Sequence, residues 1–166
     1  MLGLPAYLAA CWPEIVAAQQ HAHRMAQAPA PGKLEFFSPA QATLVEAIAA
    51  QIIPSGDSPG AREAGAVYFI DRALTTFEGE KKKLYAEGLA QLEAQGFARL
   101  ASERQIQALR AIEKAEFFQT VRLHTIMSFL ANPEYGGNRG LAGWKWIGFE
   151  DRFAFEPPFG YYDAEK

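Results

Sequence analysis

The segment from Phe117 to Leu130, FFQTVRLHTIMSFL, is apolar on nearly every side when it is arranged as a helix. A helix that is hydrophobic all round is normally buried all round. Two arrangements meet this requirement: the segment lies at the centre of a helical bundle, or it lies between this chain and another. In both arrangements this helix is the element around which the protein is organised.

Four other segments have apolar residues at helical spacing. The first begins with a capping box, in which Ser38 is the N-cap, Pro39 takes the first helical position and Gln41 reaches back. Ser102 and Gln105 predict a second capping box. The predicted buried stripes are Leu44, Val45, Ile48 and Ile52; Val67, Ile70, Leu74 and Phe77; Tyr85, Leu89 and Leu92; and Ile106, Leu109 and Ile112. No segment alternates with a period of two, so we predict an all-α fold, a small bundle of about five to six helices.

The composition divides the chain into three parts. Residues 1–32 are predicted to form an N-terminal amphipathic helix and a Pro/Gly/Ala-rich linker, the remainder of a post-signal region. Residues 33–149 form the predicted helical domain. Residues 150–166 form a predicted extended, aromatic C-terminal tail, because Pro157 and Pro158 favour extended backbone.

Charge and cysteine content exclude several classes of protein. The 166 residues carry a formal net charge of -3 without a long basic run, so we predict no nucleic-acid partner. No stretch of about 18 uncharged apolar residues is present, so no segment of the sequence is predicted to span a bilayer. The single cysteine, Cys11, cannot form an internal disulfide. Leu8 to Cys11 resembles a lipoprotein cleavage box, which leaves a lipid anchor as an alternative.

No set of reactive side chains indicates catalysis. His21 and His23 are two residues apart, so on a helix they face different directions and cannot chelate a metal together. His124 lies in the apolar segment and is interpreted as a hydrogen-bonded structural histidine, whereas Ser58 is interpreted as a helix N-cap. The glycine run YGGNRG lacks the Lys-Ser/Thr ending of a phosphate loop. We therefore assign no catalytic, cofactor-binding or metal-binding residue.

Aromatic residues are concentrated near the C-terminal end. Eight of the 21 aromatic side chains lie between Trp144 and Tyr162, in a stretch too rich in Pro and Gly to form one helix. Large aromatic side chains anchor many protein interfaces. The predicted partner interface comprises Trp12, Tyr135, Trp144, Trp146, Phe159, Tyr161 and Tyr162 as anchors, with Asn138 and Arg139 as polar contacts.

Three strings are more specific than general helix patterns. They are QIIPSGDSPGAREAGAVYFIDRAL (51–74), FFQTVRLHTIMSFLANPEYGGNRG (117–140) and AGWKWIGF (142–149). Together they resemble the gluconate 2-dehydrogenase subunit 3 family, over roughly residues 36–149 of the chain. The stretch WPEIVAAQQHAH (12–23) also resembles the post-signal region of such small subunits.

The resemblance implies a small (gamma) subunit of a membrane-associated dehydrogenase that oxidises gluconate, glucose, sorbitol or related polyols. The large flavoprotein subunit would hold FAD and, in some members, an iron–sulfur cluster. A multihaem cytochrome c subunit would pass electrons to quinone. Small subunits of the family carry a twin-arginine signal and help the flavoprotein to fold and reach the periplasm. This sequence has no twin-arginine motif, so we expect no signal peptide in this chain.

We therefore expect a non-catalytic subunit without a cofactor of its own, located in the periplasm and bound to the inner membrane through its complex. One alternative is a free-standing cell-envelope chaperone or binding module, possibly anchored by a lipid on Cys11. A weaker alternative is a small hydrolase that uses Ser58 or His124.

Overall fold

The computed structural model describes residues 33–152, and within this part of the chain it contains six α-helices and no β-strand. The all-α prediction is therefore confirmed. The helices are α1 (Pro39–Ile52), α2 (Ala66–Thr75), α3 (Lys82–Ala94), α4 (Ser102–Ala111), α5 (Glu116–Leu130) and α6 (Ala142–Ile147). Short 3₁₀ helices at Gly79–Lys81, Phe97–Arg99, Pro133–Tyr135 and Arg139–Leu141 lie between them. The helix and linker predicted for residues 1–32, and the tail from residue 153 onward, lie outside the described residues.

The start of α1 follows the predicted capping box. The Ser38 hydroxyl accepts a hydrogen bond from the Gln41 backbone N–H at 3.3 Å, and the Gln41 side chain accepts one from the Ser38 N–H at 3.0 Å. Pro39 occupies the first turn, where a missing N–H costs nothing. These three residues set the position at which α1 begins, through contacts within four residues of one another.

The main core lies between α1, α2, α3 and α5, which pack against one another. Most of the predicted inward positions are buried there: Leu44, Val45, Ile48, Val67, Ile70, Leu74, Tyr85, Leu89 and Leu92. Helix α4 packs on the side of α1, and α6 packs on α5. The core therefore uses one face of α5 and leaves another face of that helix uncovered in the described part of the chain.

The second predicted capping box is wrong. The N-cap of α4 is Ala101, and Ser102 is already the first helical residue, without a side-chain cap. Gln105 is buried instead: its amide donates to the Phe97 carbonyl at 3.0 Å and its oxygen accepts from Gln51 at 2.7 Å. A buried carbonyl without a partner is costly, so Gln105 faces inward to satisfy that of Phe97.

Two further local predictions are wrong. Phe77 is 56% exposed, because α2 ends at Thr75 and the backbone of the next residue is no longer helical. Ser58 is not a helix cap: it lies in the loop before α2, where its carbonyl accepts from the Gly56 N–H at 3.0 Å. Helix α2 begins instead after Gly65, which has the left-handed φ of 75°.

One carboxylate fixes the first described residues to α2. Asp71 is buried and accepts hydrogen bonds from the backbone N–H groups of Glu35, Phe36 and Phe37, at 2.7, 3.0 and 2.8 Å. Hydrogen bonds to a charged acceptor are stronger than neutral ones, and here they compensate for burial of the charge. Phe37 is thereby held in the core, with its ring 5.9 Å from that of Tyr85.

Candidate partner interface

Helix α5 has a buried face and an exposed apolar face. Val121, His124 and Ser128 lie on the buried face. On the opposite side Leu123, Met127 and Leu130 are 55%, 38% and 40% exposed. Their spacing of four and three residues places them in one row, which we call the α5 stripe. The prediction of burial inside the chain's own bundle is therefore wrong for this row, and the alternative, a helix between two chains, remains open.

Helix α6 is held against the C-terminal end of α5. Gly143 lies so close that a Cβ atom at this position would overlap the backbone oxygen of Phe129. The Trp144 indole N–H donates to the Leu130 carbonyl at 2.7 Å, and the Trp146 ring lies 6.4 Å from the Phe129 ring. These contacts place two tryptophans directly beside the end of the α5 stripe.

The tryptophans enlarge the apolar surface. Trp146 is 67% exposed, and Ile147 and Phe149 are 52% and 46% exposed. Trp144 is half-buried, with its ring 5.0 Å from that of Phe149. Large exposed apolar patches usually mark an interaction site.

Asn138 does not contribute to this surface. Its side chain is 0% exposed, and it donates to the Ala131 carbonyl at 3.0 Å and accepts from the Gly143 N–H at 2.8 Å. Its φ of 47° lies in the left-handed region, which asparagine tolerates better than most residues. Asn138 therefore connects the end of α5 to the start of α6, and its predicted polar contact with a partner does not fit the structure.

Tyr135 and Arg139 lie against α2 rather than beside the tryptophans. The Arg139 guanidinium stacks over the Tyr68 ring at 4.5 Å, and its backbone N–H donates to the Ala64 carbonyl at 3.0 Å. Tyr135 is 45% exposed, with the Arg72 guanidinium 6.0 Å from its ring. The predicted interface residues thus divide into two groups, of which Trp144 and Trp146 border the α5 stripe. The other predicted anchors, Trp12, Phe159, Tyr161 and Tyr162, lie outside the described residues.

Sequence reasoning missed the exposed members of the α5 stripe. The signal was present as Leu123, Met127 and Leu130 at helical spacing. A single sequence cannot distinguish an apolar row that faces the chain's own core from one that faces solvent or another chain. Whether such a row is buried within its own chain depends on how many helices surround α5.

Comparison with protein families identifies the region that contains this surface. The family model described as gluconate 2-dehydrogenase subunit 3 matches residues 39–151, which include all six helices, the α5 stripe and α6. The chain belongs to the gluconate 2-dehydrogenase subunit 3 family. The resemblance predicted from the three sequence strings is therefore confirmed. No curated protein and no solved structure matched the chain.

The family's name describes a subunit of a dehydrogenase complex. A subunit needs at least one surface that another chain covers. The exposed face of α5 and α6 is the candidate for such a surface in the described part of this chain.

Residues 33–152 contain neither a candidate metal site nor a candidate membrane span. Between residues 33 and 152 no group of three or more His, Cys, Asp or Glu side chains is arranged to hold a metal ion. None of the helices described here has the length and apolar character needed to cross a bilayer.

His124 occupies a buried polar cluster in this family member. Its Nδ1 atom lies 2.9 Å from the Tyr85 hydroxyl, and its Nε2 atom lies 4.0 Å from the Glu78 carboxylate. Burial lowers the pKa of His124, and the positive charge of Lys81 lowers it further. Burial raises the pKa of Tyr85, so the phenol stays neutral and can donate to Nδ1. These contacts are those of a structural histidine in the core. Its ring is hydrogen-bonded to Tyr85 and not to Ser58.

The lowered pKa of His124 predicts acid sensitivity. The unfolded chain takes up this proton near the ordinary histidine pKa of about 6.5, whereas the folded chain takes it up only at lower pH. The free energy of unfolding should therefore fall as pH drops below about 6.5, and stay flat above it. Denaturant unfolding between about pH 7.5 and 5 measures this slope, because most carboxylates titrate below that window. The variant His124→Gln should lose the part of the slope that belongs to this site, and an unchanged slope would contradict the assignment.

Proposed function

We propose that the chain is the non-catalytic small (gamma) subunit of an FAD-dependent sugar or sugar-acid dehydrogenase complex. In this proposal the α5 stripe and the α6 tryptophans dock on the flavoprotein subunit and stabilise its folded form. The observation that carries the proposal is the exposed apolar row on α5 together with the exposed Trp146 on the adjoining α6, in a chain whose family is named for a dehydrogenase subunit.

The size of the surface fits a docking role. Burying a Leu or Met side chain fully contributes about 1.5–3 kcal/mol, so completing the burial of a half-exposed one contributes about 1 kcal/mol. Trp146 is more exposed than any member of the α5 stripe and offers a larger gain. A few such anchors near the centre of an interface supply most of its binding energy.

Docking of this kind stabilises the partner by mass action. A protein that binds the folded flavoprotein and not its unfolded chain shifts the folding equilibrium towards the folded form. The proposal extends this to export, with the small subunit accompanying the flavoprotein to the periplasm. FAD, and an iron–sulfur cluster where present, would belong to the flavoprotein, and haem c to a cytochrome subunit that connects the complex to the inner membrane.

Placing charges on the α5 stripe should abolish this association. The variant Leu123→Asp/Met127→Asp puts two carboxylates at exposed positions, so folding should be little affected. Desolvating these charges at an interface is costly, and we expect binding to the co-expressed flavoprotein to weaken at least about 100-fold. Size-exclusion chromatography of the co-expressed pair and a titration of the purified subunits measure the loss.

A matched control separates docking from charge alone. Gln91 and Ala94 lie exposed on α3, and Gln91→Asp/Ala94→Asp adds the same two charges away from the stripe. This control should bind like the unmodified chain. If the stripe variant binds the flavoprotein as tightly as the unmodified chain does, the α5 stripe is not part of the interface. A chain that never associates with the flavoprotein would favour the free-standing envelope module instead, whose proposed anchor, Cys11, lies outside the described residues.

A further inference from the structure

A groove of about 210 Å³ runs between α1, α4 and α5. Apolar side chains of all three helices line it, namely Ile52, Ile106 and Phe118. Ile106 is 38% exposed, although the spacing of apolar residues along α4 predicts that it is buried. A cavity of about 150 Å³ holds a benzene molecule, so this groove has room for one aromatic or branched aliphatic side chain.

The rim of the groove is predominantly basic. Arg110 and Arg122 line it together with the single acidic residue Glu113. Both arginines are exposed, and neither forms an ion pair with another described residue. Residues 99–122 carry five basic and three acidic side chains, in a chain whose net charge is -3. This corner of an acidic protein is therefore locally positive and suited to a carboxylate.

The groove continues the proposed docking surface. Phe118 and Arg122 lie one helical turn apart on α5, and the same helix face continues to Phe129, whose ring lies 6.4 Å from that of Trp146. A partner that covers Trp146 and the end of the stripe would reach the mouth of the groove by extending along this face of α5. Contact with both features would extend one interface rather than create a second one.

We propose that the groove receives a segment of the flavoprotein subunit that carries an aromatic or aliphatic side chain beside an Asp or Glu. The apolar side chain would contact Ile106 and Phe118. The neighbouring carboxylate would pair with Arg110 or Arg122, whose planar guanidinium groups suit bidentate binding of a carboxylate. This inference rests on the proposed function, because it names the kind of partner segment that the same interface accepts.

Charge reversal at the rim tests the inference with the flavoprotein itself as the probe. Affinity is measured by titrating the purified flavoprotein with each variant of the full chain at low and high salt. Arg110→Glu/Arg122→Glu should weaken binding about tenfold or more at low salt, and the loss should shrink as salt screens the pair. Ile106→Gln, which changes the apolar lining at an exposed position, should weaken binding about fivefold at both salt concentrations.

The control Arg99→Glu/Arg104→Glu makes the same change in net charge at exposed positions outside the groove. Its affinity should fall much less than that of the rim variant. If the two double variants lose affinity equally, or Ile106→Gln binds normally, the groove does not receive such a segment. If the stripe variant Leu123→Asp/Met127→Asp still loses binding in that case, only the groove inference fails. If the unmodified chain does not bind the flavoprotein, the proposed function and the inference fail together.

Discussion

Replacing Gly143 with alanine will displace α6 from α5 and cost about 3 kcal/mol of stability, at the upper end of the range for overpacking. The added Cβ would overlap the Phe129 backbone oxygen, which cannot move without breaking α5. The shift also breaks the hydrogen bond from the Gly143 N–H to Asn138 and the one from the Trp144 indole to the Leu130 carbonyl. Faster exchange of the Trp144 indole proton in NMR spectra, together with a lower melting temperature, measures the effect.

The same substitution at Gly56 is the matched control. An alanine Cβ there meets nothing within 4 Å, and its φ is not in the left-handed region. Gly56→Ala should be neutral or slightly stabilising, because it restricts the unfolded chain. If Gly143→Ala keeps the melting temperature and indole exchange of the unmodified chain, α6 does not pack on α5 as described.

Replacing Asp71 with alanine will destabilise the fold by about 4 kcal/mol. The change leaves three backbone N–H groups, those of Glu35, Phe36 and Phe37, without their acceptor in a partly or fully buried setting. Each hydrogen bond to a charged acceptor contributes about 1.5–3 kcal/mol, and part of this is regained because the charge no longer needs to be buried. Denaturant unfolding measures the loss.

The variant Asp71→Asn should destabilise the fold less, by about 2 kcal/mol. One amide oxygen can still accept from Phe36 and Phe37, but the NH₂ group would face the Glu35 N–H, donor against donor. Asp57→Asn, at an exposed loop carboxylate, is the control and should be neutral. If Asp71→Ala were no more destabilising than Asp57→Asn, the attachment of the chain to α2 would not depend on this carboxylate.

The features that sequence predicted correctly are local ones. Ser38, Pro39 and Gln41 start α1 through contacts within four residues, so a single sequence contains all the information needed. Helical spacing likewise identified the buried positions of α1, α2 and α3, because a helix repeats its faces regardless of its neighbours.

The features that sequence reasoning missed depend on distant packing. Asp71 is adjacent in sequence to apolar residues, and nothing local indicates that three N–H groups about 35 positions earlier will meet it. Asn138 was assigned to a surface, but the turn between α5 and α6 buries it. Phe77 and Ile106 fit a helical stripe by spacing, yet the bundle has no element that covers them in the described part of the chain.

For the proposed interface, residue types were easier to predict from sequence than their places in the fold. Trp144 and Trp146 were predicted as anchors because they are large aromatic side chains, and both lie beside the end of the α5 stripe. The helix that carries the stripe was predicted to lie either in the core or between two chains, because an apolar helix face has the same composition whether its own chain or another covers it.

Photo-crosslinking from position 127 tests the central claim most directly. A benzophenone amino acid in place of Met127 would be carried by the full chain, co-expressed with its flavoprotein and irradiated in the intact complex. The same amino acid at Gln91, exposed on α3, serves as the comparison. We predict a covalent product with the flavoprotein from position 127 and little or none from position 91. An intact complex that crosslinks only from position 91, or from neither position, would contradict docking through the exposed face of α5.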